Sequence, residues 1–296
     1  MGAADVIPGV SGGTVAFISG IYDELLRSIK SVDGEALKLL LQFRLADFWK
    51  KINGSFLLTL FAGIVTSLLS LAKLMTHLLQ TQPILIWSFF FGLILVSAPL
   101  VLREIKTWSP ATIFSFVAGV VVAYYITVVT PTESPTNFFF IFFSGALAIC
   151  AMILPGISGA FILLLIGKYQ YMITALIEFN IPIVLVFVAG CIVGILSFSR
   201  LLSWVLERHH NIAVATLAGF MIGSLNKVWP WREVQEYATN SKGEQISVFD
   251  TSILPGRYFE VTGKDPLLLQ AILMMALGVF IVILIERIAT RLKLKH

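Results

Sequence analysis

The sequence predicts an all-α polytopic membrane protein made of two inverted repeats, with about six transmembrane helices and two re-entrant helical hairpins. Three observations carry this expectation. Of the 296 residues, 57% are hydrophobic and only 13% charged, with a mean hydropathy of +0.91, whereas water-soluble domains carry about 25% charged residues. Apolar runs recur at the ~20-residue length that a helix needs to cross ~30 Å of hydrocarbon. A short motif, Pro-Gly-x-Ser-Gly, occurs twice and each time interrupts an apolar stretch.

Six runs supply the expected spans: 55–79, 84–102, 109–130, 182–206, 211–226 and 268–288. Two further stretches, the N-terminal run to Gly20 and 138–167, are broken by the motif into pieces too short to cross, so re-entrant hairpins are expected there. In segment 31–54, Glu35, Lys38, Gln42, Asp47, Lys50 and Lys51 recur at helical spacing among Leu37, Leu40, Leu41, Leu45, Phe48 and Trp49. That pattern predicts an amphipathic helix lying in the headgroup layer. The stretch 227–266 is polar and reads as an extramembrane loop, with Leu254-Pro255-Gly256-Arg257 as an ordinary turn.

Orientation follows from the cations. With the first hairpin entering from the cytoplasm, thirteen lysines and arginines fall inside, including Arg287, Arg291, Lys293 and Lys295 of the tail, and six outside. This obeys the positive-inside rule and places the C-terminus in the cytoplasm and loop 227–266 outside. The tryptophans fall near segment ends, as interfacial belts require. Met1-Gly2 runs into Ala3-Ala4-Asp5-Val6 without a charged n-region, so no signal peptide is expected. Cys150 and Cys191 sit in apolar runs and read as buried hydrophobes rather than metal ligands. No cofactor, metal or nucleic-acid partner is expected.

The repeat is the sharpest signal. Pro8-Gly9-Val10-Ser11-Gly12 matches Pro155-Gly156-Ile157-Ser158-Gly159, and Gly20 and Tyr22 match Gly167 and Tyr169, all at an offset of 147 residues. Downstream the offset becomes 127, where Gly63 meets Gly190, Ser70 meets Ser197, Lys73 meets Arg200 and Gly92 meets Gly219. The halves divide as 1–130, holding the first hairpin, the amphipathic segment and transmembrane helices, and 131–296, holding the second hairpin, loop 227–266 and a C-terminal span. Their hairpins enter from opposite faces, an inverted arrangement that characterises secondary transporters. The second hairpin has a full first arm, Phe138 to Ile153, and the first has only Met1 to Ile7. From this we expect the natural chain to begin upstream of Met1.

Proline ends a helix and glycine permits the turn after it, so Ser11 and Ser158 are placed as caps of the second arms. Small residues follow, Gly12-Gly13-Thr14 and Gly159-Ala160, so a ligand can approach their backbone. Freed polar backbone groups persist in a membrane only where protein or a wet cavity covers them. An anion between the two breaks fits that chemistry, with Lys73 and Arg200 as intramembrane cations to serve it. Snorkelling of Lys73 and Arg200 to the interface is the competing reading. Asp5 is a candidate for a coupling proton, or a cap.

Ala4 to Thr14 with Gly20-Ile21-Tyr22, and Leu154 to Gly159, resemble the PopT-like polyprenyl-phosphate transporter family. That resemblance implies a flippase returning undecaprenyl phosphate, with membrane lipid around it, across the bacterial cytoplasmic membrane for cell-wall biogenesis. It implies transport rather than catalysis, with Ser11, Gly12, Gly13, Thr14, Ser158, Gly159 and Ala160 cradling phosphate. Lys73 and Arg200 would add charge, Pro8, Gly9, Pro155 and Gly156 would shape the breaks, and Tyr22 and Tyr169 would orient the head or anchor the hairpins. A homo-oligomer is compatible with it. Two rivals stay open: a small-anion channel or exchanger, and a polyprenyl-pyrophosphate phosphatase. In the phosphatases an arginine stands where this chain has Gly12 and Gly159, beside a glutamate-rich segment absent from its apolar runs.

Overall fold

The structure is a computed structural model that describes residues 1–2, 11–129, 134–239 and 245–293, apart from side chains at 68, 72, 73, 76, 236–239, 245–249 and 289–293. Asp5, Pro8 and Gly9 lie outside the described residues, as does the side chain of Lys73.

Helices dominate. The first hairpin's second arm is α1 (Gly12–Ile18), followed by α2 (Tyr22–Lys30). Two short helices, α3 (Gly34–Leu41) and α4 (Leu45–Lys51), lead to α5 (Gly54–Thr81), α6 (Pro83–Leu102) and α7 (Pro110–Val128). The second hairpin is α8 (Phe138–Ile153) and α9 (Gly159–Leu165), followed by α10 (Tyr169–Ile177), α11 (Ile181–Arg208) and α12 (His210–Ser224). A two-stranded antiparallel sheet, β1 (Arg232–Thr239) and β2 (Gln245–Ser252), precedes α13 (Pro255–Thr262) and α14 (Leu268–Lys293).

Local chemistry sets these boundaries. Pro83 and Pro110 occupy first helical positions, where the missing N–H costs nothing. The side chains of Ser109 and Asn137 cap α7 and α8 by accepting from Thr112 and Phe140 N–H. Pro255 likewise opens α13, so Leu254–Arg257 is a helix start rather than the expected turn. Segment 31–54 is two helices rather than one. Phe43 adopts φ 56°, and the N–H groups of Phe43 and Arg44 bond back to Leu40 and Leu39, which closes α3 and reverses the chain. Lys51 then pairs with Asp33 at 3.1 Å and with Glu35. Leu37, Leu41, Phe43 and Leu45 stay exposed, as an interfacial segment requires.

Among the described residues five helices, α5, α6, α7, α11 and α14, are long and apolar enough to span a membrane. Helices α9 and α10 reach that length and apolarity only together and are bent by 106° at the break between them, as in a broken span or a re-entrant loop. The expected span at 211–226 forms the shorter α12, of 15 residues, or ~22 Å at 1.5 Å per residue. It is shorter than a lipid-facing span because it is enclosed: Val214, Ala215, Leu217, Ala218 and Met221 are all buried. Helices α6 and α12 form the centre, with Ile94, Ala98, Val214, Ala218 and Met221 in one core.

The outer helices pack against partners distant in the chain. Helix α14, at the end of the chain, packs on α6, and α7 packs on α12. Small residues permit both contacts. A Cβ on Gly92 would meet the Met275 backbone of α14 and one on Gly219 the Phe116 backbone of α7, each under 3.0 Å. Among the described helices, α1 and α9 are seven residues each, α2 and α10 nine each, and α5 and α11 twenty-eight each. The offsets between their bounds are those read from the motif.

Candidate functional site

The two motifs touch each other. After Ile153 the chain turns through Pro155 and Gly156, the latter at φ 86°, a conformation that glycine adopts without a Cβ penalty. This turn leaves the carbonyls of Met152, Ile153 and Leu154 and the N–H of Gly156 without helical partners. The first hairpin supplies them. Ser11 Oγ lies 3.1 Å from Met152 O and 3.0 Å from Leu154 O, placed to donate to either. Tyr22 OH donates to Ile153 O at 3.1 Å, and Gly156 N–H donates to Thr14 Oγ1 at 3.0 Å. Ser11 Oγ also accepts from Gly13 N–H at 3.0 Å, capping α1 as expected. A Cβ on Gly13 would collide with Ile153 O, so only glycine lets the hairpins approach this closely.

The crossing is buried and polar at once. Ser11, Thr14 and Tyr22 are at most 3% exposed and Ser158 is 8% exposed. Gly12, Gly13, Pro155, Gly156 and Gly159 are also buried, and Ala160 is exposed. Ser158 stands at the N-cap of α9 yet makes no capping hydrogen bond. At the open end of the second hairpin, the buried Lys168 donates to Ser134 O, and Ser134 Oγ donates to Ile166 O. The start of α8 and the end of α9 therefore lie close together, as in a hairpin. Tyr169, the counterpart of Tyr22, is 37% exposed and outside the crossing.

Residues 1–246 match the model of the VCA0040-like, undecaprenyl phosphate translocase-like family. The chain belongs to this family. It is similar to a polyprenyl-phosphate transporter of Vibrio cholerae, 47% identical over 291 residues, which cover 98% of this chain and 94% of the relative. It is also similar to a polyprenyl-phosphate transporter of Staphylococcus aureus, 31% identical over 248 residues, covering 78% and 83% of the two chains. No solved structure matches it.

As a member of the translocase-like family, the chain brings Ser11, Gly12, Gly13 and Thr14 together with Pro155 and Gly156. It does not bring Arg200 to them. The Arg200 guanidinium donates to Val32 O at 3.1 Å, beside the Lys30–Glu207 ion pair at 2.9 Å, at the entrance to the amphipathic segment. Lys73 lies on α5, its side chain outside the described residues. A cation that sequence reasoning passed over lies closer: Lys227 Nζ sits 4.6 Å above the Phe161 ring of α9. Its signal was its place just after the last residue of an apolar span, where a lysine reads as an ordinary loop cation.

Proposed function

We propose that this chain is a translocase for undecaprenyl phosphate, carrying the phosphate head between the two hairpin breaks while the prenyl tail stays in lipid. The observation that carries the reading is the crossing itself, where the polar groups of two broken hairpins are buried against each other in an apolar protein. Moving a phosphate through hydrocarbon requires donors that replace its water. When the hairpins part, the Gly156 N–H and the hydroxyls of Ser11, Thr14 and Ser158 become free to donate, with Gly12, Gly159 and Ala160 leaving room for the head. Arg200, and Lys73 on the matching helix, would supply charge along the route.

In this reading the halves 1–130 and 131–296 are inverted repeats that rock about the crossing and expose it to each side in turn. The protein sits multi-pass in the bacterial cytoplasmic membrane, with the C-terminus in the cytoplasm and the β-hairpin outside. It moves its substrate without hydrolysing it. The test is flipping of a fluorescent polyprenyl phosphate in proteoliposomes, read by protection from an impermeant quencher, with a neutral polyprenol alongside. Wild-type flipping of the phosphate but not the polyprenol is expected. Release of phosphate from a polyprenyl pyrophosphate, or flux of inorganic phosphate without lipid movement, would replace this reading.

A further inference from the structure

Just beyond the crossing, on the side that carries the β-hairpin, a second polar cluster is built into the fold. Helix α12 connects the two: its residues Phe220 and Met221 pack against Gly156, and six residues later comes Lys227. The Lys227 ammonium bonds Asp250 Oδ1 at 3.1 Å. Arg232 Nη2 bonds the same oxygen at 2.7 Å. Arg232 Nη1 reaches Asn226 O at 2.6 Å, Lys227 O at 3.1 Å and Ser252 Oγ at 3.3 Å. The three charged side chains are 15%, 9% and 22% exposed for Lys227, Arg232 and Asp250.

Two features do not suit a finished salt bridge. Two largely buried cations share one carboxylate oxygen, so among the described residues the cluster holds a positive charge in excess, which burial penalises. Arg232 Nε is also buried without a hydrogen-bond partner among the described residues. Next to the cluster a groove of about 300 Å³ is lined by Phe91, Leu225, Trp229 and Leu254 on its apolar walls and by Asn226 and Ser252, both partners of Arg232. A phosphate monoester carries about −1.5 to −2 charges at neutral pH, a closer match to two cations than the single charge of Asp250.

We propose that Lys227 and Arg232 form a phosphate-monoester site at the outer end of α12, occupied by the Asp250 carboxylate until a lipid headgroup displaces it. The site rests on the reading of the chain as a polyprenyl-phosphate translocase and places a waiting position beside the second hairpin. The Phe161 ring beneath Lys227 couples the two, since the hairpin that must move for transport is the one on which the ammonium rests. Burial depresses the Lys227 pKa and Asp250 opposes that shift, so a more highly charged anion in place of Asp250 would hold the ammonium more firmly protonated.

A plain clamp, fastening the β-hairpin to the helices, would need the same residues, and the sign of one variant separates the two. In nanodiscs, binding of a fluorescent polyprenyl phosphate is titrated for wild type, Lys227→Gln, Lys227→Arg and Asp250→Asn, with melting temperatures recorded in parallel. Inorganic phosphate and a neutral polyprenol serve as competitors. Lys227→Gln is expected to weaken binding about tenfold, as loss of a charged hydrogen bond does. Lys227→Arg should restore most of it, and Asp250→Asn should tighten binding several-fold because the competing carboxylate is gone. Competition by inorganic phosphate but not by polyprenol would assign the contact to the phosphate group. If Asp250→Asn weakens binding as much as Lys227→Gln, the clamp is right and the site is overturned. Wild-type binding that neither variant changes overturns the site and leaves the translocase intact. Wild type that binds inorganic phosphate but no polyprenyl phosphate overturns the translocase reading, and the lipid site with it.

Discussion

The two hairpins are built from matching elements and differ in what their polar groups do. In the first, Ser11, Thr14 and Tyr22 are all engaged with the backbone of the second. In the second, the counterparts are Ser158, which caps nothing, Phe161, which carries Lys227 on its face, and Tyr169, which is exposed. The difference teaches that a repeated motif fixes the shape of a break without fixing its use. One copy latches the crossing, and the other keeps a hydroxyl free and turns an aromatic face toward a cation.

The largest effect should come from filling the turn that the latch holds. Gly156→Val must place a β-branched side chain at φ 86°, with its Cβ within about 3 Å of the Phe220–Met221 backbone. Left-handed backbone and overpacking together cost roughly 2–5 kcal/mol, so thermal unfolding in detergent should show a drop of many degrees or no folded protein. Next comes Thr14→Val, which strands the buried Gly156 N–H and should cost about 1–3 kcal/mol. Its counterpart, Phe161→Leu, should leave that bond intact and act on Lys227 instead, which a matched pair of melting curves would reveal.

The serines should separate stability from transport. Ser11→Ala removes a cap and a bridge to the second hairpin and should cost about 1 kcal/mol. Ser158→Ala should leave the melting temperature nearly unchanged while slowing flipping, and equal thermal losses in the two would erase the distinction between hairpins. The tyrosines should show the same contrast. Tyr22→Phe loses its bond to Ile153 O, worth about 0.5–1.5 kcal/mol, and Tyr169→Phe should be neutral.

Acid should probe the cluster by the charged side of the same comparison. Burial alone would raise the Asp250 pKa, but the Arg232 hydrogen bond and the Lys227 and Arg232 charges outweigh it and hold the carboxyl below the usual carboxylate range. A carboxyl depressed in the folded state contributes stability above its unfolded pKa, and that contribution is lost as pH falls through the folded value. The Trp229 and Trp231 indoles, which anchor the β-hairpin to Ile253 O and Pro266 O, should report its release by fluorescence below the ordinary carboxylate range. Asp250→Asn should flatten that acid transition.

By itself the sequence determined the membrane class, five of the six expected spans and the position of the break at Pro155-Gly156. Twenty apolar residues in a row have few other uses, and Pro-Gly within such a run must interrupt a helix. It also pointed to residues that meet at the crossing, because Ser11 and Gly156 both belong to the repeated motif, whereas Thr14 has no threonine counterpart. Only the tertiary structure decided how they met. The reversal at Phe43 carries no glycine or proline to announce it, and its left-handed backbone is held by closure of α3 and by Lys51 reaching back to Asp33. Helix α12 stops at Ser224 because its neighbours, not lipid, surround it. Lys227 and Asp250 stand 23 residues apart in a stretch without periodicity. Pairing β1 with β2 brings Asp250 to Lys227, and the Phe161 ring beneath Lys227 sets the pair against the second hairpin.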